Sequence, residues 1–354
     1  MAAKKDDTTY EDLRADMKAG RLGGAYVFHG EEAYLRERTL EEIQRILIAP
    51  GTEPFNLRTL EDGATGEEIV QAVDSVPMLG RHTLVIVRDL DLYKLDEATQ
   101  EKITALLGDF PEFCVLIFVY DAIPYKTDAR RKIHTVLNKN VKVINFSYNE
   151  SSKLVPWVRR HFRDGKKDIS SSDAEYLIFR VGSSMSVLLG EIEKLIAYSR
   201  SGIVTRADID AVIVPSLEAE SFDLARNLCE GKYAQTFELL DKLFSLREEP
   251  GMILGALGWQ LRRFYLASAA VQAGGGVKEM RSRCAGMSEY SARMFMKTAS
   301  HLSPAWCRSA LKLCAAADYD LKNSSGDERG VLETLFIRLA GEKKHADDQA
   351  GHSC

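Results

Sequence analysis

Residues 75–89, SVPMLGRHTLVIVRD, contain a buried strand and the loop that leads into it. The run LVIV is continuously apolar, which is typical of a central strand in a parallel sheet, because such a strand is covered on both faces. The residues before it combine a proline, two bulky apolar residues and a glycine, which predicts a turn at the edge of a domain. An apolar turn of this kind is often a binding surface.

Apolar runs alternate with helical patterns on both sides of this stretch, from Ala25 to Tyr148. Five runs are predicted to be strands: AYVFHG, FNLRTLE, TLVIVRD, CVLIFVYD and VKVINF. Helices are predicted between them, over residues 35–47, from residue 66, and over residues 96–107 and 128–137. This alternation predicts an α/β domain over residues 1–148, with a five-stranded parallel sheet and the layout of a nucleotide-binding domain.

After Tyr148 the strand signals stop and only helical patterns follow. Residues 149–215 predict a small helical domain, which ends at Pro215 and an acidic stretch. Residues 216–341 carry longer amphipathic patterns that predict a helical bundle. The last residues, 342–354, are polar and are predicted to be a disordered tail.

The composition is that of a globular protein. The chain has 354 residues and is 45% hydrophobic, enough for two or three domains with separate cores. No signal peptide or membrane span is expected. The six cysteines include no C-x-x-C pair, so they predict neither a zinc site nor disulfides. A cytoplasmic location fits these features best. A net charge of −5 and a pI near 5.9 argue against strong autonomous nucleic-acid binding.

The turn after the first predicted strand does not have the chemistry of a phosphate site. No G-x-x-x-x-G-K-[ST] occurs in the chain, and Glu31 and Glu32 in this turn would repel phosphates. Asp89 and Asp91 follow a strand where an ATPase places acids for magnesium, but without a phosphate site they are predicted to cap the next element or face solvent. We therefore predict no catalytic, cofactor-binding or metal-binding residues.

Two clusters of basic residues leave two interpretations open. One contains Lys126, Arg130, Arg131 and Lys132, and the other extends over residues 159–167. Charge runs are commonly solvated helix faces. The alternative is contact with DNA, for which Arg130, Arg131 and Lys132 are the candidates, and it predicts binding that weakens with salt.

The apolar turn itself, Val76, Pro77, Met78 and Leu79, also has two interpretations. These residues either close the core of the sheet or form a docking surface. Met78 and Leu79 are adjacent, so on one strand or helix they cannot both face a single core. An exposed apolar pair at a domain edge usually serves a partner.

Five blocks in the same order resemble the delta subunit family of the bacterial DNA polymerase III clamp loader. They are YVFHGEEAYLRER, VPMLGRHTLVIVRD, LLGEIEKLIAY with IVTRADID, EEPGMILGALGWQLRRFYLA and LKLCAAADYDLKNSSGDERGVLETLFIRLA. The resemblance implies an AAA+-like α/β domain that has lost nucleotide binding, a helical lid and a helical collar. Ser282-Arg283-Cys284 matches a tripeptide of some clamp-loader ATPase subunits, but it lies in the predicted collar and is interpreted as chance.

The resemblance also implies a function without catalysis by this chain alone and without a cofactor. A delta subunit is a component of the DNA polymerase III holoenzyme that binds and opens the beta sliding clamp with an adjacent hydrophobic pair. By position the pair is Met78 and Leu79, with Val76 and Pro77 beside it. The second member is often aromatic in the family, whereas here it is Leu79. Only three residues separate Leu79 from Thr83, so a one-residue shift to Pro77 and Met78 stays open.

The partners that the resemblance implies are the beta clamp, the ATP-binding gamma/tau subunits and delta prime through the collar, and primer-template DNA within the complex. Two other functions stay open from the sequence. One is a nucleotide hydrolase with an atypical phosphate loop, which predicts ATP binding by the isolated chain. The other is a DNA-binding adaptor that uses the basic clusters. It predicts DNA binding that weakens with salt and that survives the loss of Met78 and Leu79.

Overall fold

A computed structural model describes residues 9–61, 63–147, 151–284, 286–323 and 327–351, without the side chains of 151–153 and 344–351. The chain forms two compact units, Met1–Tyr148 and Asn149–Cys354. The division falls where the strand signals stop in the sequence. Among the described residues, no helix combines the length and the apolar character that crossing a membrane requires.

The first unit is an α/β domain. Its elements are α1 (Tyr10–Ala19), β1 (Gly24–His29), α2 (Ala33–Leu47), α3 (Glu53–Asn56), β2 (Leu57–Leu60), α4 (Gly66–Asp74), β3 (Thr83–Arg88), α5 (Glu97–Gly108), β4 (Cys114–Val119), α6 (Lys132–Asn140) and β5 (Val141–Asn145). The strands lie in the order β2-β3-β4-β1-β5, and all pairs are parallel. The predicted five-stranded parallel sheet is confirmed. We call the side where the strands begin the amino edge and the side where they end the carboxyl edge.

The sheet is buried on both faces, as its continuously apolar strands predict. Val85 and Val87 of β3 face a core that includes residues of α4, α5 and α6, while Leu84 and Ile86 face a second core with residues of α1 and α2. Successive residues of a strand point to opposite faces, so an apolar side chain is needed at every position. The central strands β3, β4 and β1 are fixed in place by this packing.

Helix starts in this unit follow local side-chain chemistry. Thr65 and Glu68 form a reciprocal capping box at the start of α4, and Asp96 caps α5. The predicted helix over residues 128–137 begins only at Lys132. The reason is that the Asp128 carboxylate accepts hydrogen bonds from the backbone and the guanidinium of Arg130, which stabilises a turn before the helix.

The second unit is almost entirely helical. Its elements are α7 (Ser151–Asp164), β6 (Asp168–Ile169), α8 (Ser171–Val181), α9 (Met185–Tyr198), β7 (Ile203–Val204), α10 (Arg206–Val212), α11 (Leu217–Glu230), α12 (Tyr233–Ser245), α13 (Pro250–Gln272), α14 (Val277–Arg283), α15 (Glu289–Ala299), α16 (Pro304–Asn323) and α17 (Glu328–Gly351). The sequence predicted no strands here, but β6 and β7 pair in parallel. Lys167 supports this pairing, because its ammonium donates to the carbonyls of Ser199 and Ser201.

The predicted lid helices, α7–α10, and the predicted collar helices, α11–α17, belong to the same compact unit. Arg180 of α8 forms an ion pair with Asp223 of α11 at 2.5 Å. Two further contacts join α8 and α10 to α15: Arg293 pairs with Glu175 at 3.0 Å, and Arg206 donates to the Tyr290 hydroxyl at 3.1 Å. The domain boundary between residues 215 and 216 stays a prediction.

The C-terminal helix corrects the predicted tail. α17 continues to Gly351, although residues 342–354 were predicted to be disordered. The Ser309 hydroxyl donates to Glu342, and the Lys343 ammonium lies 5.9 Å from the centre of the Trp306 ring, so the start of this segment is attached to α16. The segment contains no proline, so a helix can continue through it. Residues 352–354 lie outside the described residues.

Candidate functional site

The loop between α4 and β3, residues 75–82, carries the predicted docking residues. We call it the apolar loop. Val76, Met78 and Leu79 are 71%, 55% and 86% exposed, and Pro77 is half-buried. The interpretation of these residues as part of the sheet core is therefore wrong. Three large apolar side chains that face water in one short loop are an unfavourable arrangement for an isolated domain.

Leu79 adds a backbone cost to this exposure. Its φ angle is 54°, in the left-handed region, where the β-carbon of an L-residue crowds the backbone. Such a conformation costs a residue other than glycine about 1–2 kcal/mol. A strained backbone at the most exposed leucine is unfavourable for stability, which points to a role in contact with another molecule.

Asn56, the last residue of α3, supports the apolar loop from inside the domain. Its side chain is 1% exposed and makes two hydrogen bonds to the backbone of Met78. Asn56 Nδ2 donates to the Met78 carbonyl at 2.7 Å, and the Met78 N–H donates to Asn56 Oδ1 at 2.8 Å. The loop therefore has a fixed attachment to α3, even though its side chains face outward.

The exposed large apolar side chains of the described part of the first unit all lie near the amino edge of the sheet. The apolar loop leads into β3, α3 leads into β2, and the last turn of α2 lies on the same side because α2 runs back from the end of β1. These side chains are Ile46, Phe55, Val76, Met78 and Leu79. Their shared location makes this edge the apolar surface of the unit.

The carboxyl edge, where a nucleotide would be expected, has a different construction. Gly30 has a φ angle of 124°, and a β-carbon added there would lie 2.4 Å from the Phe146 carbonyl oxygen. The N–H of Glu32 donates to that oxygen at 2.9 Å, and Arg36 donates to the Gly30 carbonyl at 2.7 Å. Backbone N–H groups at this position hold phosphates in a nucleotide site, but here the Glu32 N–H is bonded within the protein.

Charged side chains at the carboxyl edge pair with one another. Arg36 is buried and donates to Asp121 at 2.5 Å, and Arg88 donates to both Asp121 and Glu37. The hydrogen bond to Glu37 is the largest cause that raises the pKa of Arg88 above its ordinary value. These arginines and carboxylates neutralise each other, so Arg36 and Arg88 are not free to bind a phosphate.

Asp89 and Asp91, for which the sequence predicts capping of the next element or exposure to solvent, both have contacts within the domain. The Asp89 carboxylate accepts hydrogen bonds from the N–H groups of Asp121 and Ala122, both at 2.8 Å. Asp91 accepts from the N–H of Tyr93 and pairs with Lys94. In the part of the chain that the structure describes, no group of histidine, cysteine, aspartate and glutamate side chains is arranged to hold a metal ion.

The first basic cluster precedes and begins α6, whereas the apolar loop lies between α4 and β3, and the second basic cluster belongs to the second unit. Arg130 bonds Asp128, and its hydrogen bond is the largest cause that holds the pKa of Asp128 down to about 2. Arg131 donates to the Leu95 carbonyl, and Lys132 begins α6 with an exposed side chain. In the other cluster, Arg159 donates to the Ile169 carbonyl. DNA contact by Arg130, Arg131 and Lys132 stays a hypothesis.

Arg283 of the Ser-Arg-Cys tripeptide has a local contact as well. It lies at the end of α14 in the second unit, and its guanidinium donates to Glu279 at 2.6 Å. An i, i+4 pair of this kind is common on helix surfaces. The described contacts of Arg283 are thus those of a surface residue.

Asn56 is the residue that the sequence did not indicate. It is 22 positions from Met78, and no local pattern pairs the two. The contact depends on β2 lying beside β3 in the sheet, which brings the residues before both strands together. The available signal was weak: a single asparagine within the predicted strand FNLRTLE.

Two protein-family descriptions match the chain, one in each unit. Residues 26–147 match the DNA polymerase III delta subunit, and residues 218–339 match the C-terminal domain of that subunit. The curated DNA polymerase III subunit delta of Bacillus subtilis (strain 168) is 23% identical over 344 residues, covering 95% of this chain and 98% of that protein.

A solved structure has the same fold. The chain matches the Bacillus subtilis DNA clamp loader delta protein with a TM-score of 0.54 and 20% identity, over 94% of this chain and 99% of that one. At this identity the structural match supports the fold alone. The two family matches together cover most of the sheet domain and most of the predicted collar helices, which is more than half of the chain, so the chain belongs to the DNA polymerase III delta subunit family.

Proposed function

We propose that this chain binds and opens the beta sliding clamp through Met78 and Leu79, as the delta subunit of a replicative clamp loader. The observation that carries the proposal is an adjacent apolar pair, exposed to water, with a strained backbone at Leu79. Membership of the delta subunit family supplies the partner. The surface is apolar and lacks catalytic groups, which suits docking to a protein pocket.

The exposure of the side chains favours Met78 and Leu79 over Pro77 and Met78 as the proposed pair. Leu79 is the most exposed large apolar side chain of the apolar loop, whereas Pro77 is half-buried against the domain. A side chain that enters a pocket on a partner must first be free of its own domain. Leucine also fills an apolar pocket, although many family members have an aromatic residue there.

Burial of the two side chains in a pocket of the clamp supplies binding energy. Complete burial of a methionine or leucine side chain is worth about 1.5–3 kcal/mol. Replacement of both by alanine is therefore expected to cost about 3–5 kcal/mol, which is a loss of two to three orders of magnitude in affinity. Binding that is tighter to the open ring than to the closed ring shifts the clamp toward the open form.

The second unit offers a surface for the other loader subunits. Met252 and Trp259 of α13 are exposed, they lie two helical turns apart on one face, and Gly255 is between them. The Arg263 guanidinium lies 5.0 Å from the centre of the Trp259 ring. We propose that this face contacts a neighbouring ATP-binding gamma/tau subunit or delta prime, since tryptophan and arginine are enriched at interface centres.

The two other functions lack support from a specific contact. A nucleotide hydrolase requires free backbone N–H groups at the first turn, but the Glu32 N–H is bonded to Phe146. A DNA-binding adaptor would use the cations of the basic clusters, but two of them, Arg130 and Arg159, bond groups of the chain itself.

The first test is binding of the purified chain to the sliding clamp of its own organism, without nucleotide. Wild type is compared with Met78→Ala/Leu79→Ala. The matched control is Val187→Ala/Ile203→Ala, which removes exposed apolar side chains from the second unit. We expect a hundred- to thousandfold weaker affinity for the loop variant and wild-type affinity for the control. Equal binding by all three folded proteins would refute the site.

A further inference from the structure

The contact between Asn56 and the apolar loop is unusual in its geometry. A single carboxamide binds both the N–H and the carbonyl of Met78, at 2.8 and 2.7 Å. This pairing is the one that a neighbouring strand would make with an extended residue. Asn56 is 1% exposed, so the two hydrogen bonds are shielded from competing water.

The contact fixes the backbone immediately before Leu79. With both polar groups of Met78 bound to the domain, the peptide planes around Met78 cannot rotate freely. The chain then turns through the left-handed conformation of Leu79. Gly80 follows at close range, because a β-carbon added there would lie 2.9 Å from Asn56 Nδ2. A side chain at residue 80 would therefore push against the carboxamide.

We propose that Asn56 is the positioning residue of the apolar loop. It holds Leu79 in its left-handed conformation in the free chain, so that Met78 and Leu79 are presented to the clamp before contact. This inference rests on the proposed function. Its physical basis is that a loop ordered in advance loses less conformational entropy on binding.

Preorganisation has a kinetic consequence that separates positioning from direct contact. If the carboxamide is lost, only a fraction of the free chains has the binding-competent loop, and the apparent affinity falls by that fraction. The side chains that enter the clamp are unchanged, so most of the loss is expected in the association rate. Removal of Met78 and Leu79 instead weakens the formed complex and raises the dissociation rate.

Two variants disturb the contact from opposite sides. Asn56→Asp keeps the side-chain shape but places a second oxygen against the Met78 carbonyl, which removes one hydrogen bond and adds repulsion. Gly80→Ala acts from the exposed side of the loop and leaves the core intact. Asn138→Asp is the matched control, since Asn138 lies in α6 and its amide bonds His134.

The experiment measures association and dissociation rates of each full-length variant on the immobilised clamp, with thermal unfolding recorded in parallel. We expect Asn56→Asp and Gly80→Ala to bind roughly ten- to a hundredfold more weakly, mainly through slower association. Asn138→Asp should behave as wild type. If Asn56→Asp does not fold, Gly80→Ala carries the test, because residue 80 is on the surface.

A double-mutant cycle completes the test. In a Leu79→Ala background, Gly80→Ala should weaken clamp binding by less than it does in wild type, because there is less side chain to position. Wild-type affinity and rates in both folded variants would overturn the role of Asn56 while leaving the proposed function intact. Failure of wild type to bind the clamp would instead overturn the proposed function.

Discussion

The two edges of the sheet in the first unit are built in opposite ways. At the carboxyl edge, Arg36, Asp121 and Arg88 form a charged network, and the turn at Gly30 is bonded to the end of β5. At the amino edge, apolar side chains face water in a loop that one buried asparagine attaches to the domain. Open α/β sheets commonly bind ligands at the carboxyl ends of their strands.

This difference favours the amino edge over the carboxyl edge as the docking surface that we propose. The carboxyl edge satisfies its own polar groups, so its residues contribute to stability. The amino edge keeps a strained backbone and exposed apolar surface, which reduce stability. We therefore expect substitutions at the carboxyl edge to change the free energy of unfolding with little effect on partner binding, and substitutions at the amino edge to do the reverse.

Asp121→Ala should give the largest stability effect. It removes the carboxylate shared by Arg36 and Arg88 and leaves the buried Arg36 without its ion pair. We expect about 2–4 kcal/mol loss in the free energy of unfolding, measured by denaturant titration, and unchanged clamp affinity for the folded protein. Asp128→Ala is the control, because its partner Arg130 is exposed to water, and it should leave the free energy of unfolding nearly unchanged. A lower clamp affinity of folded Asp121→Ala would contradict the expectation that the carboxyl edge contributes to stability and not to partner binding.

Leu79→Asn should separate stability from binding at the amino edge. Asparagine adopts the left-handed conformation more readily than leucine, and it removes an exposed apolar side chain. We expect a gain of about 0.5–1 kcal/mol in the free energy of unfolding together with at least tenfold weaker clamp binding. A loss of stability in this variant would show that the Leu79 conformation is not strained.

His29 should give the smallest effect, through pH. Burial, and then the charge of Arg36, lower the pKa of His29 below its ordinary value. The unfolded chain therefore binds a proton at His29 more readily than the folded chain. The contribution of His29 to the free energy of unfolding is complete above the unfolded pKa of about 6.5, and it decreases as the pH falls below that value. Unfolding curves between pH 7.5 and 5 should show a smaller decrease for His29→Gln than for wild type. Equal decreases would mean that His29 does not contribute.

The sheet was predictable because its information is local. Leu84–Val87 and Val115–Val119 are continuous apolar runs, and a strand buried on both faces needs that pattern. The apolar loop was predictable in part, since Pro77 and Gly80 predict a turn and two adjacent apolar residues cannot share one core. The capping residues Thr65 and Asp96 likewise act within a few positions.

The remaining features depend on contacts between distant residues. Asn56 bonds Met78, and Arg36 bonds Asp121, which is 85 positions away in the sequence. Both contacts form only because the strand order of the sheet brings these residues together. The left-handed Leu79 has no sequence signal, because leucine does not favour that conformation. The helix beyond residue 341 was missed because polar composition alone does not distinguish a tail from a helix attached to a neighbour through Trp306 and Ser309.

Ring opening is the most direct test of the central claim. A closed clamp on circular DNA is topologically linked to it, so release requires that the ring open. We would assemble the clamp on nicked circular DNA and follow its release by excess full-length chain without nucleotide. The account predicts release by wild type and by Asp121→Ala, and little release by Met78→Ala/Leu79→Ala. Release by the loop variant at the wild-type rate, or no release by wild type, would contradict it.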